Sequence, residues 1–158
     1  MNEKTRQLIL YLIKYNPRVS LTSIMKLAYL ADLISVKKLK NKITNFEYRR
    51  HHFGPFDKKI YSYLEDLTEK ELIISETDYG LTDEEFNIFS INPKIDVDME
   101  FKKLSEDEKK IIDELLNSVR GYGAKVLTEI AYKTKPMKAL KATLGGSENL
   151  GVRLNLRI

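Results

Sequence analysis

The pair Gly54-Pro55 constrains this chain more than any other feature. A proline pushes the residue before it out of the helical region, and is itself at home at the first position of a helix. The spacing predicts an extended run through Tyr48 to Phe53, a turn at Gly54, and a helix opening at Pro55 and running to Thr68. Asp57 would then lie in the first helical turn, where a carboxylate complements the helix dipole. Phe53 and Phe56 flank the junction and are expected to pin it to a core.

Around that junction the periodicities lay out the rest. Leu8, Ile9, Leu12 and Ile13 recur at helical spacing and predict a helix over 3–16, ended by Asn16-Pro17. Ser20 or Thr22 can cap a second helix to about Lys38, with Leu21, Ile24, Leu27, Ala28, Ala31 and Ile34 as its buried stripe. Asp32 lies at the edge of that stripe. Residues 36–45 read as a basic linker, and Phe46–His52 as a strand. Alternation places Phe46, Tyr48, Arg50 and His52 on one side of it, and Glu47, Arg49, His51 and Phe53 on the other. A hairpin follows, with arms around Leu72–Ser75 and Phe86–Ile91 and a turn over Thr77–Gly80. Ser105 with Glu108 forms a capping box and opens a helix to about Arg120. Gly121-Tyr122-Gly123 breaks it. A fifth helix over 124–133 is expected to bury Val126, Leu127, Ile130 and Ala131. A short sixth follows Pro136, over 137–144. The tail 151–158 alternates and reads as a strand that could join the hairpin sheet or a partner's sheet. These elements predict an α+β fold: a mainly helical single domain of five or six helices with a small antiparallel sheet. The boundary is expected at residues 1–144 for the domain and 145–158 for the tail.

Composition narrows the functions. No cysteine is present among the 158 residues, which removes disulfides, thiolate catalysis and cysteine-ligated metal sites. No apolar run is long enough to span a membrane, and the N-terminus reads as an amphipathic stretch rather than a signal peptide, so a cytoplasmic location is expected. The net charge of +4 hides blocks. Residues 36–59 carry eight basic and two acidic groups, residues 65–114 six basic and seventeen acidic, and residues 115–158 eight basic and two acidic. Internal pairing of the acidic segment with basic neighbours is the simplest explanation. Separate basic and acidic faces for two partners are the alternative.

Catalytic patterns are missing. The two histidines are adjacent, and on an extended segment they point apart. There is no metalloprotease helix motif, no phosphate-binding glycine loop and no nucleophile triad order. Neither a cofactor nor a metal is expected. Asp32 with Arg50 or His52 is the one constellation that could form, if the strand crosses the second helix. Three helices followed by a hairpin also resemble a winged helix, which makes a nucleic-acid-binding regulator using the basic 36–59 block the alternative function. However, the third helix offers few base-reading side chains, and the wing Ser75–Asp83 is acidic.

Lys26-Leu27-Ala28-Tyr29-Leu30-Ala31-Asp32, then Gly54-Pro55-Phe56, then Tyr79-Gly80-Leu81-Thr82 and Leu104-Ser105 together resemble the Panacea (SocA-like) antitoxin domain, over roughly residues 5–140. The resemblance implies a non-enzymatic module that neutralises a cognate toxin protein by direct binding. The residues expected to form the partner surface are Asp32, Tyr48, Arg49, Arg50, His52, Phe53, Gly54 and Pro55. Two positions depart from the family pattern. Lys133 stands where a histidine is common, and Met137 where a tryptophan is common.

Overall fold

The computed structural model describes residues 1–158. Helix α1 (Glu3–Lys14) is capped by Asn2, whose side chain accepts the Thr5 N–H at 2.9 Å. Leu8, Ile9, Leu10, Leu12 and Ile13 are all buried, so this helix is wrapped on nearly every side. A two-residue strand β1 (Val19–Ser20) leads into α2 (Leu21–Leu39), capped by the Ser20 hydroxyl. Helix α2 is the axis of the fold. Ala28 and Ala31 bring it against α1 and against two helices from the C-terminal half. It ends at Lys40, in the left-handed region at φ 69°.

Next come β2 (Arg49–His51), β3 (Gly54–Phe56) and α3 (Lys59–Glu69). A longer hairpin, β4 (Ile73–Tyr79) and β5 (Glu85–Ile91), follows. A 3₁₀ turn at Asp98–Phe101 precedes α4 (Glu106–Ser118), α5 (Ala124–Tyr132) and α6 (Lys135–Ala139). Two antiparallel sheets form, one ordered β1-β5-β4 and the other β2-β3. Val19 pairs with Phe89, and Ile73 with Ile91. The fold is thus α+β and mainly helical, with six helices around one core of 35 buried residues. Both halves of the expected capping box at Ser105 and Glu108 are made.

Several boundaries differ, each for a local reason. No helix opens at Pro55. Gly54, at φ 106°, closes a tight hairpin, and Pro55 lies opposite Arg50 in β3. The Arg50 backbone N–H and C=O bond away from β3, to Val152 and Gly151 of the tail. The N–H that proline lacks is therefore not needed at that register. Asp57 serves the helix from outside its first turn, accepting the Lys59 N–H at 2.9 Å and the Glu47 N–H at 2.7 Å. Phe53 is not pinned to the core; it sits at the hairpin tip with 73% of its surface exposed. The second hairpin turns later than expected. Tyr79 is still strand, and the chain reverses over 80–84, where Gly80 N–H meets the Glu84 carbonyl at 2.9 Å. The tail joins neither the β4–β5 sheet nor a full ladder. It lies along β2 through Arg50 N–H to Val152 O (2.9 Å), Gly151 N–H to Arg50 O (2.7 Å) and Leu154 N–H to Tyr48 O (2.9 Å). Helix α6 stops at Ala139, and Val126 faces outward from α5.

Candidate partner-binding hairpin and its base

Three side chains of α2, each three residues from the next, hold the segment 43–54 against the helix in antiparallel order. Asp32 takes its start. Oδ1 accepts the N–H groups of Ile43 (2.7 Å) and Thr44 (3.0 Å), and Oδ2 accepts the hydroxyls of Thr44 (2.5 Å) and Tyr48 (2.6 Å). Burial pushes the Asp32 carboxyl above its ordinary range, with these four bonds pulling the other way. Burial and the neighbouring Asp32 drive the Tyr48 hydroxyl well above its usual value. Asp32 makes no bond to Arg49, Arg50 or His52, so the expected pairing with the basic strand does not form. The donors of residues 43–48 fold back over it first and use all its acceptor capacity.

Tyr29 takes the middle of the segment. Its ring meets that of Tyr48 edge-on at 5.3 Å between centroids, and its hydroxyl bonds Thr134 Oγ1 at 2.7 Å. Phe46 packs edge-on to Tyr48 and Tyr63, both at 5.8 Å. Such pairs add about 0.5–1.5 kcal/mol each beyond burial.

Lys26 takes the end, at Gly54. A Cβ on Gly54 would stand 3.1 Å from the Lys26 Cε, and residue 54 also has positive φ, so glycine is required there twice over. Lys26 is 2% exposed, and burial alone lowers its ammonium to about 8.

Arg50 lies fully buried under the hairpin. Its Nη2 donates to the carbonyls of Thr143 and Gly146, both at 3.0 Å, and its Nη1 to the carbonyl of His51. Its Nε has no partner. The guanidinium faces the Tyr132 ring at 5.4 Å. The Tyr132 hydroxyl in turn donates to the His52 carbonyl at 2.9 Å. The loop after α6, helix α5 and the hairpin are thereby tied together.

The eight residues expected at the partner surface divide in two. Asp32, Tyr48, Arg50, Gly54 and Pro55 form a buried base. Arg49, His52 and Phe53 stand exposed above it. His51 and Tyr61 extend the exposed side, joined through the half-buried Phe56 in an aromatic row with centroids 5.1 and 5.9 Å apart. Burial lowers the His51 imidazole, and Lys26, His52 and Arg50 lower it further. Lys26 and Tyr132 were not singled out as site residues by sequence reasoning. Lys26 is the first residue of the α2 motif, and a lysine inside an apolar run was the available signal.

A groove of about 870 Å³ lies between β1, β5 and the α4–α5 junction. Its charged groups already have partners: Arg18 pairs with Glu76 and Asp78, Arg120 donates to Asn117 Oδ1, and Asp113 accepts the Tyr11 hydroxyl. No three His, Asp or Glu side chains gather where they could hold a metal ion. No helix is long and apolar enough to cross a membrane.

Taken together, these features define a mainly helical α+β domain that presents a rigidly based hairpin with an exposed aromatic tip. The chain belongs to the antitoxin SocA-like, Panacea domain family, whose family model matches residues 24–136. That span runs from just before Lys26 to Pro136 and takes in α2 from Ile24 onward, both hairpins, α3, α4 and α5. Family membership points to a role in a toxin–antitoxin system. No curated protein and no solved structure matches the chain.

Proposed function

We propose that this chain is an antitoxin that binds a cognate toxin protein directly and neutralises it without catalysis, in the cytoplasm, through the β2–β3 hairpin. Phe53 carries this reading. A large aromatic side chain held at 73% exposure, on a hairpin whose base is packed and hydrogen-bonded, is a ready anchor for a partner. Its neighbours Arg49, His52 and Tyr61 supply the polar and aromatic surroundings that binding hot spots favour.

The test is co-expression with the short reading frame beside the gene whose product is toxic alone. The wild-type chain restores growth. Phe53→Ala with Arg49→Ala keeps its melting temperature and loses rescue, with affinity weakened at least about 30-fold, or ~2 kcal/mol. Full rescue by that variant overturns the hairpin as the binding surface. The absence of any toxin that the chain neutralises overturns the antitoxin reading.

One observation favours a second reading. The order α1-β1-α2-α3-β4-β5, with β1 on the outer edge of β5, is that of a winged helix. Charge speaks against DNA as the ligand. The outer face of α3 carries Glu65 and Glu69, and the wing carries Glu76, Asp78, Asp83, Glu84 and Glu85, all facing solvent. The wing thus bears the charge of DNA phosphates, and α3, with Lys59 set against Glu65, Asp66 and Glu69, has no cationic surplus to offset it.

A further inference from the structure

We infer that the recess over Lys26 is a receptor for a single carboxylate delivered by a protein partner. This rests on the antitoxin reading for the identity of the partner, but the recess can be probed without it. The starting point is an imbalance. Asp32, six residues further along α2, receives four hydrogen bonds. Lys26, equally withdrawn from solvent, has no hydrogen bond and no ion pair, and burial is the sole influence on its ammonium. Arg50 Nε is the one fully sealed polar side-chain atom without a partner, so the Lys26 Nζ still opens to solvent. The groups that lower the His51 imidazole beside it are all basic side chains: Lys26, His52 and Arg50. A buried cation among basic side chains, with no anion in the fold to answer it, is a site short of one negative charge.

The geometry sets which anion fits. Gly54 lies directly against the Lys26 stem, since a Cβ there would stand 3.1 Å from Cε and 3.7 Å from Nζ, so no side chain at position 54 covers the ammonium. Only 2% of Lys26 is exposed, so an anionic group that reaches its ammonium must be small and borne on a stalk. Arg50 cannot fork onto a phosphate, because its Nη atoms already serve three carbonyls. One ammonium remains as free donor. That matches the single charge of a carboxylate and falls short of the several donors by which a phosphate is held. The exposed Phe53 next to Gly54 marks the recess as part of a larger contact, so an acidic side chain of the toxin, flanked by apolar surface, is the occupant.

The experiment uses the full chain and the variant Lys26→Met, which keeps the volume and removes the charge. Sodium acetate, sodium phosphate and sodium chloride are titrated separately at pH 7. The Lys26 side-chain and His51 ring resonances are followed by NMR. Acetate is expected to shift both His51 and Lys26 saturably in the wild type, with no saturable His51 shift in Lys26→Met. A wild-type His51 response no larger than that of Lys26→Met at every acetate concentration overturns the proposal. Tighter saturation by phosphate than by acetate overturns the carboxylate assignment. In the growth assay, Lys26→Met is expected to weaken toxin binding at least tenfold while folding normally. Neutralisation equal to wild type overturns the partner-borne carboxylate and leaves the antitoxin reading standing. Failure of every version to neutralise overturns that reading instead, and the acetate titration then judges the recess alone.

Discussion

Two ionisable side chains six residues apart on α2 are buried to the same degree and treated in opposite ways. Asp32 is paired with four donors, whereas Lys26 is left bare. The cost of the bare charge has a pH signature. Below about pH 8 the lysine is protonated in both the folded and unfolded chain, and the full burial penalty weighs on the fold. Between about 8 and the ordinary 10.5 the folded chain gives up this proton first, so stability rises with pH. Lys26→Met should therefore be more stable than wild type at pH 7, by about 2–3 kcal/mol. The gap should shrink as pH approaches 10. Urea unfolding of both proteins at pH 7 and pH 9.5 checks this; a variant less stable at pH 7 would mean that the ammonium has a stabilising partner in solution. At this scale the sequence was only half readable. Helical spacing marked Leu27, Ala28 and Ala31 as core, and they are. The same spacing put Asp32 at the edge and said nothing of Lys26. Both are buried because residues 43–54 fold over that side of α2, and a contact so remote in sequence leaves no trace in local periodicity.

At the scale of elements, alternation was a better guide than turn chemistry. Phe46, Tyr48 and Arg50 face inward and Glu47, Arg49 and His51 outward, as period two requires, although only Arg49–His51 forms a ladder. The Gly54-Pro55 reading failed because the same dipeptide suits either a helix start or the return arm of a hairpin. What selected the hairpin was the tail lying on the far side of β2, a partner about a hundred residues away. That tail is therefore structural. Leu154 is 4% exposed, and its N–H bonds the Tyr48 carbonyl. Leu154→Ala should cost about 2–3 kcal/mol through the lost burial and the cavity left behind. The Arg50 and Leu154 amide protons should exchange faster in that variant, while those in the middle of α1 keep their protection. A loss of protection spread evenly over both helices and hairpin would show that the tail is not a separable layer but part of the global unfolding unit.

Across the whole molecule the charge blocks resolve into one pairing and one surplus. Lys4, Arg6, Lys14, Arg18 and Lys38 reach across to Glu108, Asp66 and Glu100, Asp98, Glu76 and Asp78, and Glu114. The N-terminal basic groups are thus spent on the acidic segment. The later ones are not: Lys133, Lys135, Lys138 and Lys141 on and after α5 and α6 are solvent-exposed, and Arg49 on the hairpin is exposed with them. The result is a basic side around the hairpin and an acidic side at the β4–β5 turn. Surface pairs contribute about 0–1 kcal/mol each and are screened by salt, so raising NaCl from 50 mM to 500 mM should move the melting temperature by only a few degrees. Association with a toxin whose matching face is acidic depends instead on the long-range field, which the Debye length cuts off within about 4–5 Å at 500 mM. The on-rate should therefore fall at least about tenfold over that range, with the off-rate changing far less. Stopped-flow binding at the two salt concentrations, set beside thermal melts in the same buffers, separates the two. An on-rate indifferent to salt would mean that the surplus basic charge around the hairpin does not face the toxin during approach.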